Sequence, residues 1–217
     1  VLLQGRDIGG IEKPRDRYLT TDEIKALLLF LDGDNSRMSL QTKLAIKIIL
    51  HTGIRSGELR LATWSEIDYK NSLWTIPKEH TKQDEIMRIH LTEPVKIMFR
   101  ELQYGSKSDF VLSAKEGVPL SPKALSRAIN RIQERVEVPH WTAHDLRRSF
   151  CTQLGETLHI DPVVIEKCLG HKMPKIMATY NRNEMLVQRK EALTKWSSYL
   201  ENLLQDNVVP LSLSKCS

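Results

Sequence analysis

The feature that most constrains this chain is a change of hydrophobic period partway along it. Up to Thr52 the apolar residues recur at helical spacing. Between Glu66 and Leu91 they alternate, and beyond Leu91 helical signals dominate again. A 3.6-residue period buries one stripe of a helix, whereas a period of two buries one face of a strand. A chain patterned this way folds as mainly α with a small antiparallel β-sheet, an α+β protein.

The local signals set the expected elements. Thr20-Thr21-Asp22-Glu23 has capping-box spacing ahead of Ile24, Leu27, Leu28 and Leu31, so a helix starts there and Gly33 marks its end. A second helix is expected near Leu40–Thr52, with Gly53 suited to its C-terminal cap, and a short third one from about Ser56 to Ala62. Glu66–Tyr69, Leu73–Ile76 and Ile86–Leu91 read as strands, with Lys70-Asn71-Ser72 as a turn; Phe110–Leu112 reads as a further short extended piece. Thr92 before Pro94, Ser121 before Pro122 and Asp161 before Pro162 are each a cap followed by a proline, the signature of a helix start. The last helix is expected from about Asn183 to Leu204. Its apolar stripe (Trp196, Tyr199, Leu200, Leu203, Leu204) suits either its own core or a neighbouring subunit.

Length and composition bound the rest. The 217 residues, 41% of them hydrophobic, suffice for one core. We read residues 18–204 as one domain, 1–17 as a linker or expression remnant of a longer protein, and 205–217 as a flexible tail. A net charge of +5 fits a nucleic-acid partner and many other proteins as well. Cys151, Cys168 and Cys216 share no close spacing, which argues against a disulfide framework and against structural zinc. No apolar run reaches membrane-spanning length and no signal-peptide pattern opens the chain, so a cytoplasmic protein is expected.

Several residues carry chemical potential. His144, Arg147, Arg148 and Cys151 follow i, i+3, i+4, i+7 and share one helical face, while Ala143, Leu146, Phe150 and Leu154 share another. The second set can anchor the helix while the first looks into a cleft. The plainer reading, a solvated basic face, fits Arg148 better than Arg147. Arg55 and Glu58 sit three apart between Gly53 and Gly57. An arginine fork matches two phosphate oxygens and a carboxylate can hold the fork in place, although an ordinary surface ion pair has the same spacing. Lys82 lies in the polar stretch between two expected strands and can donate a proton; Lys78 is a rival in the same loop. Gly170 reads as a helix cap and His171 follows it. Tyr180, nine positions on, carries a phenol that becomes a nucleophile only beside a base.

Each signal is weak singly, but their order is not. The segments TGIRSGELRLATWSEID (52–68), WTIPKEHTKQ (74–83), HDLRRSF (144–150) and IEKCLGHKMPKIMATYNR (165–182) resemble the catalytic domain of tyrosine recombinases, the phage-integrase family, most of all integrases of satellite phages and genomic islands. The similarity spans about residues 18–204. It implies the tyrosine-recombinase catalytic-domain fold and a site-specific DNA recombinase that cleaves and rejoins strands through a 3′-phosphotyrosyl intermediate, integrating or excising a mobile element. Arg55 and Arg147 then clamp the scissile phosphate, Glu58 supports Arg55, and Lys82 protonates the leaving 5′ oxygen. His144 accepts the proton of the tyrosine, His171 contacts the phosphate, and Tyr180 is the nucleophile. The implied chemistry uses no metal, ATP or other cofactor, because fixed cations stabilise the charge of the pentacoordinate phosphorus. Implied partners are double-stranded DNA with specific attachment sites, three further copies of the chain in the synapse (a monomer when free), and DNA-bending accessory proteins, all in a bacterial, nucleoid-associated setting without membrane. Two rivals share features. A topoisomerase-like domain uses similar residues, though Gly170-His171 favours the recombinase pattern. A basic DNA-binding module without chemistry leaves the ordered set of side chains unexplained.

Overall fold

The computed structural model describes residues 16–33, 37–171 and 183–205. Helix α1 (Thr21–Asp32) starts at the expected capping box: Thr20 Oγ1 accepts from Glu23 N, and Glu23 Oε2 accepts from Thr20 N at 2.8 Å. Helix α2 (Leu40–Thr52) runs from the Ser39 cap to Gly53, whose φ of +65° ends it in the left-handed conformation. A Cβ there would sit 2.5 Å from the Phe150 ring, so neither backbone nor packing admits a side chain. Helix α3 (Ser56–Leu61) follows at once.

Three strands then form an antiparallel sheet in the order β1 (Ile67–Asp68), β2 (Leu73–Ile76), β3 (Met87–His90). They are shorter than the alternation suggests, because pairing stops where the buried face runs out. Ile67 faces Trp74, Trp74 faces Ile89 and Ile76 faces Met87, all with their side chains buried. Helix α4 (Glu93–Gln103) lays Val95, Met98, Phe99 and Leu102 into the interior, with Phe99 edge-on to Trp74 at 5.4 Å between ring centres. Phe110 makes a single bridge to Thr63 rather than a strand. The strands lie just beyond it, as a two-stranded hairpin β4 (Ser113–Lys115) and β5 (Val118–Pro119). Helix α5 (Ala124–Ile132) begins later than Ser121-Pro122 suggests, because Ser121 O first accepts from Ala124 N in a turn.

Helix α6 (Ala143–Glu156) is capped by Thr142, with Asp145 reaching back to the Thr142 N–H at 2.9 Å. Helix α7 (Pro162–Leu169) is capped by Asp161 and closed by Gly170 at φ +59°. Helix α8 (Leu186–Gln205) is the last. Helix α2 is the centre of the molecule, packed against α6, α4 and α8 and buried along most of its length. Of the two positions open to the final helix, the structure has it on its own core. Ala192, Leu193, Trp196 and Leu200 are buried, Trp196 Nε1 donates to Leu50 O at 2.8 Å, and Tyr199 shares a 2.9 Å hydrogen bond with Thr21. Among the described residues no helix is long and apolar enough to cross a membrane.

Candidate active site

The site is assembled around one buried cation. Arg147, in the second turn of α6, points inward and is only 4% exposed. Its Nη1 donates to Gly53 O, at the end of α2, and its Nη2 donates to Leu169 O, the last residue of α7, at 2.5 Å. Two helices therefore end on this guanidinium. The carbonyls of a last turn have no intrahelical donor and carry the negative end of the helix dipole. Both needs are met by one planar cation. Burial, and then the charge of nearby Arg55, pull Arg147 down to about 10, which still leaves it charged at neutral pH.

Arg55 is the N-cap residue of α3, and Glu58 sits three positions into that helix. Glu58 is buried. Its Oε1 accepts from Arg55 Nη1 at 2.8 Å and its Oε2 from Arg55 N at 3.1 Å. Oε1 also accepts from Lys82 N at 3.4 Å. The pair is thus no solvated surface bridge. One carboxylate orients an arginine and ties the β2–β3 loop to α3, a role that charge spacing alone could not distinguish.

Arg55, Glu58, Lys82, His144 and Arg147 line one open cleft of ≈ 480 Å³. Lys82 is exposed on its rim, whereas Lys78 opens the 3-10 turn Lys78–His80 before it. His144, in the first turn of α6, is exposed to the cleft. Its pKa is held below the ordinary imidazole value by partial burial and by Arg148, Arg147 and Arg55, against the opposing charge of Asp145. A ring held neutral in this way can take up a proton. Arg148 is part-exposed, with Nη1 3.5 Å from the buried Asp145 carboxylate.

His171 lines a second cleft that shares Arg55 and Glu58 with the first. Arg147 connects them: its Nη2 donates to His171 Nε2 at 3.0 Å. Tyr180 lies outside the described residues, as do the rest of 172–182, 1–15 and 206–217. Six of the seven side chains singled out from the sequence therefore converge on two adjoining clefts.

Four groups were not foreseen. Glu166 Oε2 stands 2.8 Å from His171 Nδ1. The carbonyls of Gly53 and Leu169 belong to no side-chain motif. Glu66 is a buried carboxylate that accepts from Trp74 Nε1 at 3.0 Å and lies 2.8 Å from His80 Nδ1 in the β2–β3 loop. The capping-box spacing of Thr63 and Glu66 was the one signal that could have drawn attention to it. Among the described residues no group of three or more His, Cys, Asp or Glu side chains is arranged to hold a metal ion.

The molecule is thus a mainly helical fold with a small sheet that sets two arginines and two histidines over adjoining clefts. The profile of the phage integrase family matches residues 17–186, and the chain belongs to that family. It is 29% identical over 175 residues to the prophage integrase IntZ of Escherichia coli strain K12, covering 80% of this chain and 43% of that protein. It is also 29% identical over 164 residues to the tyrosine recombinase XerA of Saccharolobus solfataricus, covering 76% of this chain and 53% of that protein. Among solved structures, the XerH site-specific recombinase bound to its palindromic difH substrate superposes with a TM-score of 0.61 at 26% identity, over 84% of this chain and 54% of that one. The chain spans about half the length of the curated relatives it matches.

Proposed function

We propose that the chain supplies the catalytic domain, residues 18–204, of a site-specific DNA recombinase that integrates or excises a mobile element. The observation that carries this reading is the joining of Arg55, Lys82, His144 and Arg147 around one cleft, with His171 on Arg147. Arg55 and Arg147 bind the non-bridging oxygens of the scissile phosphate, and Glu58 keeps the Arg55 fork aimed. The Tyr180 oxygen attacks phosphorus as its proton passes to His144. The P–O5′ bond breaks, Lys82 protonates the departing 5′ oxygen, and a 3′-phosphotyrosyl link remains. A 5′-hydroxyl from a partner duplex reverses these steps and completes the exchange. No bond is hydrolysed, so no nucleotide energy is needed to reseal the strand. Charge accumulates on the phosphoryl oxygens in the transition state, where prealigned cations stabilise it best.

The partners under this reading are duplex DNA with specific attachment sites, three further copies of the chain in a synapse, and DNA-bending proteins, in the bacterial cytoplasm at the nucleoid. XerH bound to difH in its post-cleavage complex supports the choice of DNA as substrate. The test is a nicked suicide duplex carrying the junction sequence of the element. The wild-type chain is expected to form a covalent adduct at Tyr180, mapped by mass spectrometry, and Tyr180→Phe is expected to bind without forming one. An adduct retained by Tyr180→Phe would overturn the assignment of the nucleophile. Relaxation of a single duplex with no paired site would favour a topoisomerase instead.

A further inference from the structure

The histidine after the α7 cap is held from both sides of its ring, and only one of the two holders belongs to the machinery described above. Arg147 Nη2 donates to His171 Nε2, so Nε2 carries a lone pair. A neutral imidazole has one acceptor and one donor nitrogen, so Nδ1 carries the hydrogen and donates it to Glu166 Oε2 at 2.8 Å. The same residue fixes the histidine a second time through the backbone, since Glu166 O accepts from His171 N at 3.1 Å. Gly170 allows both contacts. Its left-handed turn reverses the chain so that a residue five positions after Glu166 returns to face it.

We infer that Glu166 is a positioning residue, one that fixes the ring plane and tautomer of His171 and so keeps Nε2 as the acceptor that holds the Arg147 guanidinium in place for the scissile phosphate. This rests on the recombinase reading for its consequence in catalysis, though not for its effect on the ring. Which imidazole nitrogen bears the proton is set by the hydrogen bond made at the other one. Without the carboxylate, Nδ1 faces solvent and both tautomers become accessible. Any ring carrying its proton on Nε2 turns a donor toward the Arg147 guanidinium, which offers donors only. That arrangement is repulsive, and it is relieved by rotation of the histidine or of the arginine away from the clefts. Glu166 is itself part-exposed, so its replacement leaves the core intact; its charge reaches Arg147, and Glu166→Gln, which removes that charge but keeps an acceptor, separates the two effects.

The experiment compares Glu166→Ala and Glu166→Gln with the wild-type chain, using nitrogen-15 spectra of the imidazoles and adduct formation on the suicide duplex. His171 resonances are assigned by their loss in His171→Gln. In the wild type His171 is expected as the Nδ1–H tautomer. In Glu166→Ala the spectrum is expected to move toward a mixture. Adduct formation should then slow about tenfold, the loss of one hydrogen bond to a charged group, with the DNA concentration for half-saturation unchanged. Glu166→Gln keeps an acceptor oxygen and is expected to restore the tautomer and most of the rate, a rescue that a merely structural residue would not give. Wild-type tautomer and wild-type rate in Glu166→Ala would overturn the inference. If the wild-type chain itself forms no adduct while the spectra still change, the recombinase reading fails and the ring positioning stands.

Discussion

Arg147 shows what a single side chain is asked to satisfy. Its guanidinium meets Gly53 O, Leu169 O and His171 Nε2, from three separate segments. A lysine offers a point charge with tetrahedral donors and cannot reach all three in one plane. We expect Arg147→Lys to lower the rate of adduct formation at saturating DNA about a hundredfold or more. The melting temperature should fall as well, since at least one buried helix-terminal carbonyl is left without a donor. Equal rates at saturation would count against a role in the transition state. At this scale the sequence was readable where function lies in side chains at short spacing, as with Arg55 and Glu58 or His144 and Arg147. It was unreadable where the partner is main chain. No motif announces that Gly53 O and Leu169 O will meet, and the Glu166–His171 contact spans a helix cap whose geometry, not spacing, joins them.

At the scale of elements, the two capping glycines make a matched experiment. Both have positive φ, so an alanine at either costs about 1–2 kcal/mol of backbone strain. Their surroundings differ. A Cβ at Gly53 would sit 2.5 Å from the ring of Phe150, which is fully buried against Trp196. A Cβ at Gly170 would sit 2.9 Å from Met87 Sδ, on a side chain with three rotatable bonds. We therefore expect Gly53→Ala to destabilise the protein by a further 1–3 kcal/mol through overpacking, roughly, while Gly170→Ala stays near the strain alone. Equal losses in urea unfolding would show that the Phe150 ring gives way as easily as the methionine. The helices with caps and prolines were legible because each start is written in two or three adjacent residues. The β4–β5 hairpin was not. Its strands are too short and polar to show a period, and they are held by pairing across Gly117 rather than by a buried face.

For the molecule as a whole, a small polar cluster sits in the interior. His51 is buried in α2 beside Ser197 of α8, whose hydroxyl also bonds Thr92 at the start of α4. Burial, aided by the charge of Lys47, drives its pKa from 6.5 to about 3. The folded protein thus keeps His51 neutral, while the unfolded chain takes up a proton below pH 6.5. Stability then declines as pH falls through the window from about 6.5 to 3, by roughly 2 kcal/mol at pH 5. Chemical denaturation across that range checks this, and His51→Asn should flatten the dependence even if it costs stability at neutral pH. A slope unchanged by that substitution would mean that other groups dominate. The class of the fold followed from hydrophobic period alone. The path of α8 did not, because an apolar stripe fits a neighbour as well as a core. Only the Trp196 and Tyr199 contacts to Leu50 and Thr21 decide it.

The cradle of Arg147 has an evolutionary corollary. Main-chain oxygens are not encoded by any codon in particular, so at position 169 the anchor asks only that α7 end there, and the side chain answers to the core in which it is buried. Selection on this anchor acts instead on where two helices stop, and at position 53 it is kept strict by the Phe150 ring. A change that shifted either termination by one residue should therefore disable the anchor even with every side chain around it left in place.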